Sequence, residues 1–398
     1  WVRPLVPSSY SPPRSTPTPP SPCCGPRRGE AHGFISLLHP SSGIFLFSMA
    51  ALASLALRRS SRGLLPLACR GVASLPPPRL FDYETIRANV KEADAVSSVE
   101  AAFGMLAKGK VDVPIPMHIG IDETETAGPG DCHIKGGYIS GTTTWTVKCA
   151  NVSFYKNVEK GLPPGSGIFI VCDATNGAPL AIMQENRYLT DLRTGAAGAI
   201  SVKHFASPKH KKVAFIGTGV IAQAMARATN TLHQFDQGFA FGLDDGMNAQ
   251  FADTIHSQLG YPVQVCATAE EAVRSADVIF TQTTGANHVL QLDWLQPHAT
   301  IIASGSDQPT KNEIPPEVQR QSKLVCDLVR QCSRVGELRS AIAAGVMSED
   351  DVYAEIGEVV NGTKPGREGD ELILVDLTGT GAQDAAIGQV AWEVLSQK

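Results

Sequence analysis

The segment KKVAFIGTGVIAQAMARA, residues 211–228, constrains this chain more than any other. An apolar β-run is followed at once by Gly217, Gly219 and Ala222, and then by a helical pattern. Gly217 permits a tight turn, Gly219 lets backbone approach a pyrophosphate, and Ala222 allows close contact between helix and strand. The helix start supplies N–H groups and positive potential for that anion. The second strand, FAFGLDD, ends in Asp244 and Asp245. A carboxylate at either position accepts from the adenosine ribose hydroxyls and repels a 2′-phosphate, which favours NAD over NADP and leaves open which aspartate binds.

Strand and helix signals go on alternating through 263–266, 278–281, 301–304 and 324–328. The pattern predicts an α/β, doubly wound Rossmann-type NAD domain over residues 201–372. In such a sheet ligands lie beyond the carboxyl ends of the strands. Thr281, Gln282 and Thr283 stand at one such end, and Ser304 to Asp307 at another. Thr281, Thr283 and Ser306 are therefore candidates to touch the cofactor. Asp307 is followed by Lys311, a pair that can join a carboxylate beside a reacting carbon to a cation near the cofactor.

Ahead of that domain, residues 83–109 read as one helical stretch, with Val90, Val96, Val99, Phe103 and Leu106 at helical spacing. Short β-like runs follow at 115–121, 145–152 and 167–172, and Asn176-Gly177 joins the last of these to 179–183 as a hairpin. The helix TDLRTGAAGAISVKHFA, which Thr190 or Asp191 can cap, leads onward. These elements predict a smaller α+β substrate and dimerisation domain over 81–200, with 373–398 returning to it.

Residues 1–80 read as an address. From Met49, the probable start, the segment to Arg79 holds five arginines and no acidic residue, the composition of a mitochondrial transit peptide. The alternatives are an unprocessed cytoplasmic leader and a secretory signal built on the apolar run 43–57, which at fifteen residues is short for a bilayer span. Pro-rich sequence of this kind is expected to be disordered. A formal net charge of -5 leaves no basic field for nucleic acid, and no membrane partner is expected. Nine scattered cysteines, without C-x-x-C or zinc-finger spacing, read as reduced thiols, and no metal is expected.

From about Pro116 onward the chain resembles the ornithine cyclodeaminase and mu-crystallin family. The matching stretches include WTVKCANV, YLTDLRTGAAGAI, VAFIGTGVIAQA, IIASGSDQPTKNEI and LTGTGAQDAAIGQVA. The resemblance implies that Lys148 lies near the substrate carboxylate or acts as acid/base and that Arg193 clamps the carboxylate. It also implies that Asp307 meets the substrate amine and that Lys311 meets the cofactor. It implies a homodimer, and hydride transfer at the α-carbon of a small amino acid or its imine. Amino-acid dehydrogenation, imine reduction as in the iminosuccinate reductase branch, ornithine cyclisation and non-catalytic ligand binding all occur among such proteins.

One departure bears on substrate. The cyclodeaminases carry a second arginine clamp upstream of the lysine, and this chain has no arginine between Arg87 and Arg187. It offers His118, His133 and Lys135 instead. Lys135 stands about where ornithine-specific members place a glutamate, so His118, Lys135, Lys148 and Arg193 form the candidate substrate site, biased toward an anionic substrate.

Overall fold

The computed structural model describes residues 74–397. The start at Met49 and the body of the expected leader lie outside the described residues. The leader boundary at residue 80 is too late: Arg79 and Leu80 already belong to strand β1 (Arg79–Phe81), which pairs in parallel with β7 (Pro179–Gln184). The reason is Phe81, whose ring is buried in the core and draws the preceding residues into the sheet.

The first sheet runs β1-β7-β6-β5-β4-β2, with β3 also on β4. Its other members are β2 (Val111–Asp112), β3 (Met117–Ile121), β4 (Gly130–Ile139), β5 (Thr144–Val152) and β6 (Ser166–Asp173). Apart from β1 they pair antiparallel, and β6 and β7 form the expected hairpin at Asn176-Gly177. The anticipated single helix is two, α1 (Tyr83–Asn89) and α2 (Glu92–Ala107). Between them Val90 is extended and fully buried, and the Tyr188 hydroxyl donates to its carbonyl at 2.8 Å.

The long helix α3 (Tyr188–Phe205) starts two residues earlier than expected. Neither Thr190 nor Asp191 is its cap: Arg187 is, in a left-handed conformation. Buried Glu185 serves the orphan donors instead, accepting from the Thr190 N–H and hydroxyl at 3.0 Å each.

The second sheet is wholly parallel, in the order β10-β9-β8-β11-β12-β15-β13-β14. Its strands are β8 (Lys212–Ile216), β9 (Gln237–Phe241), β10 (Val263–Val265), β11 (Val278–Thr281), β12 (Thr300–Ala303), β13 (Lys323–Cys326), β14 (Ala354–Glu355) and β15 (Ile373–Asp376). The helices between them are α4 (Val220–Asn230), α5 (Asp245–Leu259), α6 (Ala269–Arg274), α7 (Pro316–Gln321), α8 (Val329–Val335), α9 (Leu338–Ala343) and α10 (Ile356–Val360). Strands β8 and β11 diverge in winding, so the crevice between their ends is the switch point where such sheets take ligands.

One boundary differs from expectation. The stretch assigned from residue 373 to the first domain begins with β15, which lies inside the parallel sheet between β12 and β13. All four residues of β15 are buried, and an ILVD run covered on both faces suits a central parallel strand. Only the following helix α11 (Gly381–Ser396) returns, packing on α2, β4 and β5. The units are joined tightly along α3 and α4, where a Cβ at Gly195 would collide with the Ala224 carbonyl. No helix among the described residues is long and apolar enough to cross a membrane.

Candidate active site

Strands β4 and β5 carry the first part of the site. Lys135 and Lys148 are cross-strand partners, both on the face turned toward α3 and α11. Lys148 is 1% exposed, and its Nζ lies 2.9 Å from Asp384 Oδ1, in the first turn of α11. Arg193, on the second turn of α3, donates from Nε to the same oxygen at 3.2 Å. Its two terminal nitrogens have no acceptor among the described residues, which suits a fork for a carboxylate. Lys135 is held differently, donating to the carbonyls of Thr378 and Gly379 at 3.1 and 2.9 Å.

Three cations thus surround one carboxylate. Burial lowers the Lys148 pKa, Arg193 and Lys135 lower it further, Asp384 resists, and the result is about 8. Burial, then Arg193, lowers Lys135 as well. Burial alone would raise the Asp384 carboxyl, but Lys148 and Arg193 outweigh it and hold it below the ordinary carboxylate range. The second Asp384 oxygen, Oδ2, is buried with no hydrogen-bond partner among the described residues. Asp384 was not foreseen, since an aspartate in the first turns of a helix reads as ordinary N-terminal acid.

Across the cleft, Asp307 and Lys311 pair at 2.8 Å, as the spacing suggested. Burial opposes ionisation of Asp307, but Lys311, Lys135 and His133 prevail and hold its pKa at about 2. His133, opposite His118 in the β3/β4 register, also reaches this end. It accepts from the Gln308 amide at 3.0 Å with Nε2, and burial keeps its pKa at about 4, so the ring is neutral. A cleft of about 360 Å³ brings together Lys135, Lys148, Arg193, Thr283, Asp307 and Lys311.

Three expected residues do not line that cleft. Thr281 is fully buried and donates to Glu313 Oε2 at 2.8 Å, because the strand has not yet ended there. Ser306 is 1% exposed and donates to the Lys311 and Val335 carbonyls at 2.9 and 3.1 Å, so it braces the turn rather than facing a ligand. His118 stays away from Lys148 and Arg193: it pairs with Asp131 at 2.8 Å and lines a neighbouring cavity. Glu313 is the group sequence reasoning missed here. Its carboxylate takes the Thr281 hydroxyl, the Thr283 N–H at 2.6 Å and the Gly305 N–H at 2.9 Å, fixing both crevice loops.

The nucleotide loop fits its expected occupant. Gly217 has φ +93°, which only glycine adopts freely, and packs against Gln282, whose amide donates to the Ile216 carbonyl at 2.9 Å. Gly219 caps α4 with no side-chain bond, and a Cβ there would meet nothing within 4 Å. Open space and orphan N–H groups at a helix start are what a pyrophosphate needs. Ala222 is fully buried against the sheet. Asp244 caps α5, accepting from the Met247 N–H at 2.8 Å with Oδ1, while Asp245 opens that helix; both are exposed at the end of β9.

Comparison with known proteins agrees with this geometry. The Ornithine cyclodeaminase/mu-crystallin family profile matches residues 81–398. The alanine dehydrogenase of Archaeoglobus fulgidus is 32% identical over 79% of this chain and 94% of its own. The solved structure of Thermococcus litoralis Δ1-pyrroline-2-carboxylate reductase with NADH and L-proline superimposes with a TM-score of 0.74 at 27% identity, covering 80% of this chain and 97% of that one. The iminosuccinate reductase of Paracoccus denitrificans in complex with NAD+ gives 0.73 at 28% identity, covering 80% and 96%. With a family match over residues 81–398 and relatives of more than 30% identity along most of their length, this chain belongs to the ornithine cyclodeaminase/mu-crystallin family.

Proposed function

We propose that the protein is an NAD-dependent oxidoreductase that transfers hydride at the α-carbon of an amino acid or its imine. The observation that carries this reading is the buried cluster of Lys135, Lys148 and Arg193 around the single carboxylate of Asp384, in a cleft that continues to the nucleotide crevice. Such a cluster has excess positive charge, and a substrate carboxylate completes it. Residues Gly217, Gly219 and the start of α4 would hold the pyrophosphate, and Asp244 or Asp245 the adenosine ribose. Bound NADH supplies the hydride.

The chain's own groups do the rest. Arg193 and Lys148 orient the carboxylate, so the α-carbon faces the loops after β11 and β12. In the reductive direction a 2-oxo acid and ammonia condense with loss of water. The imine carbon then accepts hydride, and its nitrogen ends as an ammonium beside Asp307, whose ionised carboxylate stabilises that charge. Lys148, with its pKa near 8, can exchange a proton at neutral pH. The retained Asp307–Lys311 pair argues against a purely ligand-holding protein. Lys135 opposes the ammonium of an ornithine side chain, which disfavours cyclodeamination. The test is NADH oxidation by purified protein with ammonia and a 2-oxo acid. Proline formation from L-ornithine without such oxidation would reverse the order.

A homodimer through the outer face of the first sheet is also proposed. Met117, Ile134, Cys149 and Ile168 form one cross-strand row there, and Leu80, Ile182, Ile170 and Val147 the next. Leu80 and Met117 are 75% and 58% exposed, more apolar surface than a lone strand face usually leaves open. Sedimentation velocity at micromolar concentration should give twice the chain mass. The acid-free arginine composition of 49–79 supports mitochondrial targeting, which import of a fusion carrying that segment would test.

A further inference from the structure

Beside the catalytic cleft lies a second cavity of about 500 Å³. The two communicate: His133, Lys135 and Asp307 line both. The carboxylate anchors Lys148 and Arg193 line only the cleft. A substrate whose carboxylate sits on Arg193 and whose nitrogen meets Asp307 therefore has its remaining substituent at the doorway to the second cavity.

The chemistry of that cavity is distinct. Its apolar walls include Val113, Ile115, Pro116, Leu328 and Val335, with little polar surface. Among the described residues its only carboxylate is Asp307, already paired with Lys311. His133 at the doorway accepts its hydrogen bond from Gln308, and so offers no charge to a passing chain. Arg330 and Arg334 stand at the rim, both exposed, and Arg330 also donates to the Val113 carbonyl at 2.8 Å, which ties the 113–117 wall in place. Apart from Asp307, no carboxylate among the described residues lines it to pair with a terminal ammonium, and two guanidinium groups repel one. Apolar walls and a volume in the range of small-molecule sites call for an apolar group far larger than a methyl.

We propose that this cavity is the side-chain pocket, and that the substrate carries a large uncharged apolar side chain, branched or aromatic, on its α-carbon. The proposal rests on the cleft being an amino-acid or imine site. It narrows the substrate class away from the cationic, and also away from the short anionic substrate that a free Lys135 would have favoured. Lys135 is committed to two backbone carbonyls instead.

The experiment measures kcat/KM for NADH oxidation with ammonia and four 2-oxo acids: pyruvate, oxaloacetate, 4-methyl-2-oxopentanoate and phenylpyruvate. The last two should exceed pyruvate by roughly tenfold or more, the scale on which an apolar pocket rewards added methylenes. Val335→Trp, which fills the pocket, should erase that advantage and leave pyruvate within about twofold. Should Val335→Trp fold poorly, Ile115→Trp, at a wall position that is 70% exposed, serves the same purpose. With NADH present, L-leucine or L-phenylalanine should raise the melting temperature more than L-alanine. Turnover that is best with pyruvate or oxaloacetate, together with no selective thermal shift, overturns the pocket assignment and leaves the general function standing. No turnover with any of the four and no shift with any amino acid overturns both.

Discussion

At the scale of single residues, Asp384 decides how the site is charged. Its Oδ1 receives both Lys148 and Arg193, and no other carboxylate among the described residues makes an ion pair with either. Asp384→Asn keeps the shape and removes the countercharge, leaving buried cations to repel one another. We expect a stability loss of about 3 kcal/mol or more in urea denaturation, as for breaking a buried ion pair from one side. Lys148 gives a second prediction. With its pKa lowered to about 8, it is protonated below that pH and neutral above it. Reduction of a preformed cyclic imine should lose kcat/KM as pH rises through about 8, and in Lys148→Arg, which stays charged, that limb should vanish. Charge reversal at Lys135, which sequence alone suggests as a switch toward ornithine, would instead set a carboxylate against the Thr378 and Gly379 carbonyls and should destabilise the fold.

Among the elements, α3 matters most, because it carries Arg193 and lies against α4, whose start is the proposed pyrophosphate seat. Gly195 has no room for a side chain beside the Ala224 carbonyl. Gly195→Leu should destabilise by about 3 kcal/mol, the upper range for overpacking, and lower affinity for both NADH and oxo acid. Glycine-rich character in α3 was plain from sequence; its partner was not. Legibility followed hydrophobic pattern generally. The parallel strands are apolar runs, and β5, β6 and β7 were found near their true bounds. Strand β4 escaped because its core-facing positions are His133 and Lys135, which inverts the usual alternation. Motif and resemblance singled out Gly217 and Gly219, and also Lys148, Arg193, Asp307 and Lys311, which line one cleft. Thr281 and Ser306 misled, since a polar residue at a strand end can equally turn inward to satisfy Glu313 or a backbone carbonyl.

For the whole molecule, stability should depend on pH through the buried acids behind the site. Burial pushes Asp376 up to about 7 from an ordinary 3.8, and one of its oxygens, Oδ1, has no hydrogen-bond partner among the described residues. A group that binds its proton more tightly when folded contributes fully below its unfolded pKa, and that contribution fades as pH rises through the folded value. Melting temperature should therefore fall between pH 5 and 8, and Asp376→Asn, which cannot ionise, should flatten the decline. The path of the chain has its own consequence. It crosses from the first sheet to the second along α3 and returns after β15, so the carboxylate that balances Lys148 and Arg193 arrives 191 residues after Arg193. On the ribosome, both cations are made long before their counter-ion. The first sheet cannot close its charged interior until α11 has been synthesised, so a nascent chain stopped short of residue 381 holds a bare cationic hollow, a surface for chaperones to guard.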